Sequence, residues 1–420
     1  MTKDLSLHHD HDHAQAQSRA QAHSRLSIDE AIALITRQLK LEGETEDVVP
    51  YTHTVGRVLT RDIHCRRNVP HFDRAAVNGY AVRAEDIPGK LNVVGEIDAR
   101  EAFGHPLRRH DTVHVATGAR TPAGTDLVVD QSEVEMIHDG RIAVDQEAAP
   151  GKNITRAGQD VQAGQRVFTA GQRVHATDLA MMATIGALEV PVRRRPVVRI
   201  VPTGGELILA GTPITGNQTV EASAATLSAL ATRDGARPVC HPIVGDDEAR
   251  LLAVMQSPGA DVIVVIGGAN VGVSDRAPTA LRRSGRIVID GLDLEPGGHT
   301  AIGFVGTTIV ILAPGVPSAT FIVWDFVVLP ILQQWQGLRR PDARPTVRAR
   351  LTTRYEKPAS RTDVVRVTLA AMSQGLPLAS VIPERSGSLS PIIRAHGLLQ
   401  FPPGRAAWDA GDEVDIITAT

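Results

Sequence analysis

The feature that most restricts the fold of this chain is an alternation of apolar runs with helical segments between residues 197 and 335. The β-branched apolar runs cover residues 197–201, 261–266, 286–289 and 307–312. Helical patterns cover residues 219–231, 277–283 and 318–335. Strands that are apolar on both faces and alternate with helices are typical of a parallel sheet with helices on each side. We therefore predict an α/β domain in this part of the chain.

Short strands and turns dominate the sequence on both sides of this region. Before it, residues 112–115 and 127–129 are rich in β-branched side chains. After a basic, proline-bearing linker at 339–345, apolar and polar residues alternate with a period of two, as in 347–352. This alternation without intervening helices predicts a small all-β domain at the end of the chain.

Two further helices are predicted outside the α/β region. Ser27 and Glu30 form a capping-box pattern, and apolar residues then follow at helical spacing. A second helical pattern covers residues 177–185, with Gly186 at the position of a C-terminal cap. The polar, histidine-rich residues 1–25 are expected to form a disordered tail, with loose capture of a divalent metal as the alternative.

Composition excludes several classes of protein. The formal net charge is −3 and aromatic residues make up 3% of the chain, whereas a general nucleic-acid binder carries a basic excess and aromatic stacking platforms. No apolar run approaches the roughly 20 residues of a membrane span. Cys65 and Cys240 are the only cysteines, too few for a disulfide framework or a thiolate zinc site. We expect a cytoplasmic protein that binds neither nucleic acid nor membrane.

Glycine and proline follow three of the predicted strands at their carboxyl ends. The segments are Thr203-Gly204-Gly205-Glu206, Gly267-Gly268-Ala269-Asn270 and Pro314-Gly315. Ligands of α/β sheets bind outside these strand ends, where glycine lets backbone amides approach and helix N-termini attract anions. A phosphate-bearing small molecule is one interpretation, and ordinary tight turns between strand and helix are the other.

Charged residues near these turns are few. Glu206 and Asp275 are candidates for holding Mg²⁺ through their carboxylate oxygens, with a helix N-cap as the alternative role of each. Arg193, Arg194 and Arg195 precede the first α/β strand, where they form either an anion contact or a solvated face.

A series of ordered motifs carries a resemblance to a known family. Residues 72–82, FDRAAVNGYAV, resemble a segment written F-D-x-S-A-M-D-G-Y-A-V in that family. The other matching segments, in the same order, are Thr117-Gly118-Ala119, Gly158-Gln159-Asp160, residues 203–207, residues 267–272 and Pro314-Gly315-Val316-Pro317. The family is that of the molybdopterin molybdotransferases, the molybdenum insertases of the bacterial MoeA and gephyrin E-domain type. The resemblance extends from about Leu26 to Thr420.

The resemblance implies a fold and an activity. Four domains are expected: a helical connector (26–70 and 148–190), a mixed β domain (71–147), a three-layer α/β domain similar to molybdopterin adenylyltransferases (191–338) and a C-terminal β-barrel (341–420). The resemblance also implies an elongated homodimer with its active site between subunits. Its members take adenylylated molybdopterin and molybdate as substrates and release AMP with Mg²⁺.

The resemblance further implies which residues form the site. The catalytic positions are Asp275, Glu206, Asp73 and Asn78, of which Asp275 and Glu206 hold the metal. The positions that bind substrate and phosphate are Thr117, Gly118, Thr203, Gly204, Gly205, Gly267, Gly268, Asn270, Gly272, Pro314, Gly315 and Pro317.

Many polar positions of the family pattern differ in this chain. Family acids correspond to Asn78, Gln159 and Gly205, family lysines to Pro278, Glu295 and Gly298, a family serine to Asn270, and a family asparagine to Val316. Because charges are lost while scaffold glycines and prolines remain, we expect AMP release far below that of an intact insertase. The alternatives are a catalytically silent paralogue that binds a pterin or nucleotide or partners an active insertase, and an interaction scaffold.

Overall fold

A computed structural model describes residues 25–39, 45–267, 276–339, 344–383 and 388–418. The described residues fall into two compact units, one of residues 46–192 and the other of residues up to 45 together with 193 onward. The domain limits expected from the sequence divide the chain more finely than these units and remain a prediction. The residues expected to form a histidine-rich tail lie outside the described ranges, apart from Arg25.

The first described helix, α1 (Ile28–Gln38), begins where the sequence predicts. Ser27 Oγ accepts a hydrogen bond from Glu30 N–H at 3.3 Å, and the Glu30 carboxylate accepts one from Ser27 N–H at 2.9 Å. This capping box satisfies two backbone donors near the start of the helix. The apolar face of α1, which includes Ile35, is buried in the core of the α/β sheet, whereas the expected domain limits place this helix in the connector.

Residues 46–192 form a mainly β unit. Its strands are β1 (Glu46–Pro50), β2 (Ile63–His64), β3 (Arg74–Ala75), β4 (Gly79–Val82), β5 (Gly89–Ile97), β6 (Asp111–Val115), β7 (Leu127–Asp130), β8 (Glu135–Ile137), β9 (Arg141–Val144), β10 (Ile154–Thr155), β11 (Arg166–Phe168) and β12 (Glu189–Arg193). Among these described strands, six form a sheet in the order β7-β4-β6-β5-β9-β8. Its β5–β6 pair is parallel and its other pairs are antiparallel, which confirms the mixed β domain.

The other described strands of this unit pair in twos, β1 with β12, β2 with β11 and β3 with β10. Helix α2 (Asp178–Ile185) packs on them through an apolar cluster that includes Met182. The helix ends at Gly186, whose φ of 77° gives the left-handed C-terminal cap that the sequence predicts. The described part of the connector therefore holds this helix among short strand pairs.

The second unit contains the α/β sheet. Its elements are β13 (Val197–Pro202), β14 (Leu207–Ile208), β15 (Thr219–Val220), α3 (Ala224–Arg233), β16 (Arg237–Cys240), α4 (Glu248–Gln256), β17 (Val262–Ile266), α5 (Arg276–Ser284), β18 (Arg286–Asp290), β19 (Leu294–Glu295), β20 (Ala301–Val305), β21 (Thr308–Ala313), α6 (Pro317–Val323) and α7 (Leu329–Trp335). A π-helical turn, Trp324–Val328, joins α6 to α7, so the long helix predicted over 318–335 is confirmed. The sheet order is β16-β13-β17-β21-β20-β18 among the described strands.

Both faces of this sheet are covered by helices. Side chains alternate between faces along a strand. Val262 and Val264 of β17 pack in a cluster with α1, α3, α6 and α7, whereas Ile263 and Val265 pack in a second cluster with α4 and α5. The uninterrupted apolar runs in the sequence reflect this burial on two sides.

The expected parallel sheet also contains one strand, β20, that runs in the opposite direction. Strands β16, β13, β17 and β21 pair in parallel, but β20 and β18 pair antiparallel. The reason is a tight hairpin in which Val305 pairs with Thr308 and Gly306 adopts a φ of 60°. A two-residue connection of this kind can join only antiparallel strands.

The helix predicted over 219–231 starts later than expected. Residues 219–220 form β15, which pairs with β14, and α3 begins at Ala224. The Glu221 carboxylate accepts hydrogen bonds from the N–H groups of Ser223 and Ala224, at 2.7 and 2.9 Å. Glu221 therefore caps this helix, and the residues before it are free to form a strand.

The chain after residue 344 forms the C-terminal barrel. Its elements are β22 (Thr346–Leu351), β23 (Tyr355–Glu356), β24 (Thr362–Ala370), β25 (Leu378–Val381), α8 (Ser390–Arg394), β26 (Gly397–Phe401), β27 (Ala407–Trp408) and β28 (Glu413–Thr418). Five of the described strands are neighbours in the order β24-β25-β22-β28-β26, and β26 pairs back with β24. This pairing closes the barrel and confirms the expected C-terminal domain.

Candidate functional site

The carboxyl ends of β13, β17 and β21 meet at one edge of the sheet, because the three strands are parallel neighbours. Thr203 N–H donates to the Ile266 carbonyl at 2.9 Å, and Gly267 N–H donates to the Ala313 carbonyl at 3.1 Å. A Cβ placed on Gly315 would lie 3.3 Å from the Cα of Gly267. The three glycine-bearing segments chosen from the sequence are therefore in contact with one another.

The close approach of these segments requires glycine at position 267. Gly267 has a φ of 92°, and a Cβ there would lie 2.7 Å from the carbonyl oxygen of Thr203. Both the backbone conformation and the lack of space exclude a side chain. Position 267 therefore accepts glycine but not a residue with a side chain.

A cavity of about 520 Å³ opens beside this junction. Of the residues predicted from the sequence, its walls include Thr203, Gly204, Glu206, Gly267, Gly315 and Pro317. Gly205 and Pro314 lie in the same turns. Gly268, Asn270, Gly272 and Asp275 lie outside the described residues, so the catalytic and metal-binding role of Asp275 remains a prediction.

Several walls of the cavity come from residues that sequence reasoning missed. These are Leu207, Thr219, Val220, Glu221, Ala222, Ser223, Gly245, Asp246, Asp247, Leu251, Ile266, Arg276, Ala277 and Val316. Many of them belong to the starts of α3, α4, α5 and α6. Helix N-termini present backbone N–H groups and a positive dipole end, which attract anions. The same cavity is also lined by four carboxylates, those of Glu206, Glu221, Asp246 and Asp247. The adjacent acids at 246–247, just before a helical pattern, are the signal that could have identified α4.

Two carboxylates of the cavity converge on one turn. The Glu206 carboxylate folds back over Gly204, where a Cβ would lie 2.7 Å from Glu206 Oε2. The Asp246 carboxylate lies against Gly205, where a Cβ would lie 2.8 Å from Asp246 Oδ2. Neither carboxylate has a hydrogen bond or ion pair within the described part of the chain. Both are exposed and available to a cation.

The alternative role of Glu206 as a helix N-cap is wrong. Glu206 is followed by the strand β14, and the next helix, α3, is capped by Glu221. Asp247 fills the capping role at α4, since its carboxylate accepts hydrogen bonds from the N–H groups of Ala249 and Arg250. Asp246 and Asp247 are neighbours in sequence, but Asp247 alone acts as the cap.

The free carboxylates of Glu206 and Asp246 suit a cation that is bound jointly by the protein and by a phosphate-bearing ligand. The described ranges contain no cluster of three or more His, Cys, Asp or Glu side chains arranged to hold a metal ion. Mg²⁺ is commonly bound by one or two carboxylates together with substrate phosphates and water. Glu206 and Asp246 therefore suit Mg²⁺ that arrives with a phosphate, rather than a metal held by protein alone.

The cationic residues expected near the site have different roles. Arg194 makes a bidentate ion pair with Asp261, with both N–O distances at 2.7 Å, and its guanidinium lies 4.8 Å from the ring centre of Trp335. Arg194 thus contributes to packing just before β13, and the anion contact considered for the triplet remains a prediction. Arg276, at the start of α5, is a cation that does face the cavity.

Charge at Glu295 is partly balanced in the structure. Glu295, which stands where the family has lysine, lies 3.8 Å from a guanidinium nitrogen of Arg361. Arg361 also pairs with Asp363 at 2.7 Å. The glutamate therefore contributes to the contact between β19 and the barrel strand β24, which are hydrogen-bonded neighbours.

The remaining predicted residues lie together in the unit of residues 46–192. Asn78 Oδ1 accepts hydrogen bonds from Thr117 N–H at 2.7 Å and from Thr117 Oγ1 at 3.0 Å. Gly118 follows in the left-handed region, with a φ of 84°. Asn78 thereby holds the turn between β6 and β7, a role for which an amide oxygen is sufficient. Its catalytic role remains a prediction.

Asp73 is engaged with neighbouring groups. Its carboxylate accepts hydrogen bonds from Arg156 Nη1 at 2.6 Å and from Ala157 N–H at 2.8 Å. Partial burial raises the pKa of Asp73, but these hydrogen bonds and the charge of Arg156 outweigh it, so the pKa lies below its ordinary value of 3.8. These contacts position the loop at 156–157. The catalytic role of Asp73 remains a prediction.

Models of known families match most of the chain. The MoeA N-terminal region (domain I and II) matches residues 26–186. A probable molybdopterin binding domain matches residues 199–334, and the MoeA C-terminal region (domain IV) matches residues 348–419. The order of these matches agrees with the order of the elements described above.

Similar proteins cover nearly the full length of the chain. Molybdopterin molybdenumtransferase 2 of Mycobacterium tuberculosis is 32% identical over 385 residues, which cover 88% of this chain and 94% of the relative. The molybdopterin molybdenumtransferase of Bacillus subtilis is 28% identical over 405 residues, which cover 93% of this chain and 94% of the relative. A crystal structure of the molybdopterin biosynthesis MoeA protein from Pyrococcus horikoshii superimposes with a TM-score of 0.80 at 26% identity and covers 94% of this chain and 100% of that one. This chain therefore belongs to the molybdopterin molybdenumtransferase family.

Proposed function

We propose that this protein transfers molybdate into adenylylated molybdopterin with release of AMP, as a step of molybdenum cofactor biosynthesis. The observation that carries the proposal is the cavity at the carboxyl edge of the α/β sheet, where helix N-termini and free carboxylates face the same space. A phosphate-bearing substrate matches the first feature, and a cation bound to that phosphate matches the second. Membership in the family supports the choice of substrates.

The substrate phosphates are bound mainly by backbone donors. The lysines of the family pattern are absent at positions 278, 295 and 298, and the glycine turns at Gly204 and Gly267 remain. Backbone N–H groups at the start of α5 then supply contacts. Those of Ser223 and Ala224 at α3, and of Ala249 and Arg250 at α4, are already bonded to Glu221 and Asp247. Arg276 adds one side-chain cation at the start of α5, two residues before Pro278.

Glu206 and Asp246 are the carboxylates that hold Mg²⁺ in this proposal. When bound by these residues, Mg²⁺ would stabilise the negative charge on the phosphate of the AMP leaving group. Asp246 contributes a carboxylate against position 205, where the family has an aspartate and this chain has glycine. The site therefore has two carboxylates among the described residues, although position 205 is a glycine.

Calorimetric titration with AMP, with and without Mg²⁺, tests the site directly. We expect binding that Mg²⁺ strengthens in the unmodified protein, and a loss of that strengthening in Asp246→Asn and Glu206→Gln. Glu135→Gln, at an exposed position on β8, is the matched control and leaves the Mg²⁺ effect unchanged. Absence of any AMP binding by the folded protein would reject the proposed site.

Release of AMP from adenylylated molybdopterin in the presence of Mg²⁺ and molybdate tests turnover. We expect a rate well below that of an insertase with all the family charges, because loss of one transition-state charge contact often costs 10²–10³-fold in rate. Binding of substrate without molybdate-dependent AMP release would identify a silent paralogue. A rate equal to that of an intact insertase would mean that other residues supply the missing charges.

We also propose that the protein forms a homodimer. The proposal rests on the family alone, and light scattering of the purified protein tests it. A mass of about twice 44.8 kDa supports the dimer, and a mass of one chain rejects it.

A further inference from the structure

A second stretch of chain lies at the same edge of the sheet as the cavity. Asp290, at the end of β18, pairs with Ala301, and Ala301 pairs with Leu312 near the end of β21. The loop of residues 291–300 therefore emerges beyond the carboxyl end of β21, as do the glycine turns of the cavity. Since neighbouring strands lie about 5 Å apart, this loop is on the order of 10 Å from the Pro314 turn along the sheet.

A side chain from another part of the chain fills the space over this loop. Arg25 precedes α1, and its Nη1 would lie 2.9 Å from a Cβ placed on Gly298. Its Nε and Cγ would each lie 3.5 Å from a Cβ placed on Gly291. The guanidinium thus lies against the position where a side chain at residue 298 would begin. Two glycines make room for it.

The backbone next to Arg25 is held in place by the same loop. Leu26 forms a parallel β-bridge with Leu292, and its carbonyl accepts a hydrogen bond from Asp293 N–H at 2.9 Å. The capping box of Ser27 follows immediately and starts α1. The position of Arg25 is therefore determined by tertiary contacts on its C-terminal side.

The charge of Arg25 is available to a ligand. Arg25 is exposed and makes no hydrogen bond or ion pair with another residue in the described ranges. Two nearby acids have other arginine partners, since Asp290 lies 3.1 Å from Arg282 and Glu295 lies 3.8 Å from Arg361. A planar guanidinium with several free donors matches the oxygens of an oxyanion.

We propose that Arg25 binds an oxyanion of the substrate, a phosphate or molybdate, at this edge of the sheet. Arg25 would supply a positive charge that residue 298, a glycine, cannot supply. This inference rests on the proposed function, because that function places an anionic substrate at the carboxyl edge. It assigns to this chain a binding residue from a segment outside the motifs that identify the family.

Titration of Arg25 variants with AMP, adenylylated molybdopterin and molybdate tests the proposal. We expect Arg25→Ala to weaken binding of at least one of these ligands by about 5- to 30-fold, as for the loss of one exposed charge-assisted contact. Arg25→Lys retains part of the affinity. The matched control is Arg37→Ala. Arg37 is an exposed arginine in the last turn of α1, the helix that follows Arg25, and we expect its replacement to change affinity less than twofold.

A rescue experiment separates charge from structure. In the Arg25→Ala background, Gly298→Lys places a cation near the space that the guanidinium vacated. The Cβ at position 298 also lies 3.1 Å from the Leu294 carbonyl oxygen, so the loop must shift by a few tenths of an ångström to accept it. We expect the double variant to recover most of the lost affinity, which a purely structural role of Arg25 would not produce. Unfolding temperatures and circular dichroism establish that each variant is folded.

The outcomes distinguish this inference from the proposed function. If the unmodified protein and Arg25→Ala bind all three ligands equally, the inference is wrong and the proposed function stands. If the unmodified protein binds molybdate but not AMP or adenylylated molybdopterin, and Arg25→Ala loses that binding, the inference stands and the proposed function fails. Binding of none of the ligands rejects both. Loss confined to molybdate, or to the phosphate compounds, identifies the oxyanion.

Discussion

The carboxylate of Asp246 lies against the position where a side chain at residue 205 would begin, since a Cβ built on Gly205 would be 2.8 Å from Asp246 Oδ2. The two positions are 41 residues apart in sequence but share one space in the folded chain. Any side chain introduced at position 205 must therefore move Asp246. Gly205→Asp, which restores the family residue, would add one carboxylate and displace that of Asp246.

Replacement of Gly205 by alanine tests this relationship. We expect Gly205→Ala to change the free energy of unfolding by less than about 1 kcal/mol, because the atom it meets is the end of a flexible, exposed side chain. The Mg²⁺-dependent part of AMP binding should fall by a larger amount, comparable with that in Asp246→Asn. Urea unfolding and calorimetry measure the two effects. An unchanged Mg²⁺ effect would mean that the position of Asp246 against residue 205 has no importance for binding.

Gly267 provides a test of the junction between the strand ends. Gly267→Ala places a Cβ 2.7 Å from a backbone oxygen at a φ of 92°, so we expect a loss of about 2 kcal/mol or more in the free energy of unfolding. Gly259→Ala is the matched control, because Gly259 has a φ of 88° and open space around its Cβ position. Its cost, about 1 kcal/mol, comes from the backbone conformation alone. Equal losses in the two variants would contradict the close approach of Thr203 to Gly267.

Asp73 predicts a dependence of stability on pH. Its pKa is lower in the folded protein than its ordinary value of 3.8, so its ion pair stabilises the fold above that value. The contribution is lost as the pH falls through the lower, folded pKa. We expect Asp73→Asn to reduce the free energy of unfolding by about 0.5 kcal/mol near neutral pH, since the pair with Arg156 is partly exposed.

Urea unfolding of both proteins at a series of pH values measures this difference. It should be constant between pH 5 and 7 and shrink below about pH 4, where the wild-type carboxylate becomes protonated. A difference that grows on acidification would contradict the direction assigned to the pKa of Asp73.

Arg194 tests whether the arginine triplet has a structural role. Arg194→Lys loses the bidentate geometry with Asp261 and much of the contact with the Trp335 ring, so we expect a loss of about 1–2 kcal/mol in the free energy of unfolding. The exposed neighbour Arg195 is the control, and Arg195→Lys should be nearly neutral. Affinity for AMP should remain unchanged in both. Weaker AMP binding in Arg194→Lys, with normal stability, would favour the anion contact instead.

Features that depend on neighbouring residues could be predicted from the sequence. The capping box at Ser27, the C-terminal cap at Gly186 and the central strands follow from local patterns that have one stable arrangement. The meeting of the Thr203, Gly267 and Pro314 turns also follows, because parallel neighbouring strands end at the same edge. The motifs added the family, and with it the C-terminal barrel.

The tertiary structure alone decided which side chains share a space. Asp246 lies against Gly205 and Arg25 lies against Gly298, pairs that are far apart in the chain and carry no common motif. Likewise, the sequence offers Glu206 as a possible helix cap and places Glu221 inside the helical pattern at 219–231, but the hydrogen bonds show that Glu221 caps α3. Local sequence determines backbone preferences, whereas the contents of a site depend on packing between distant segments, which no local pattern encodes.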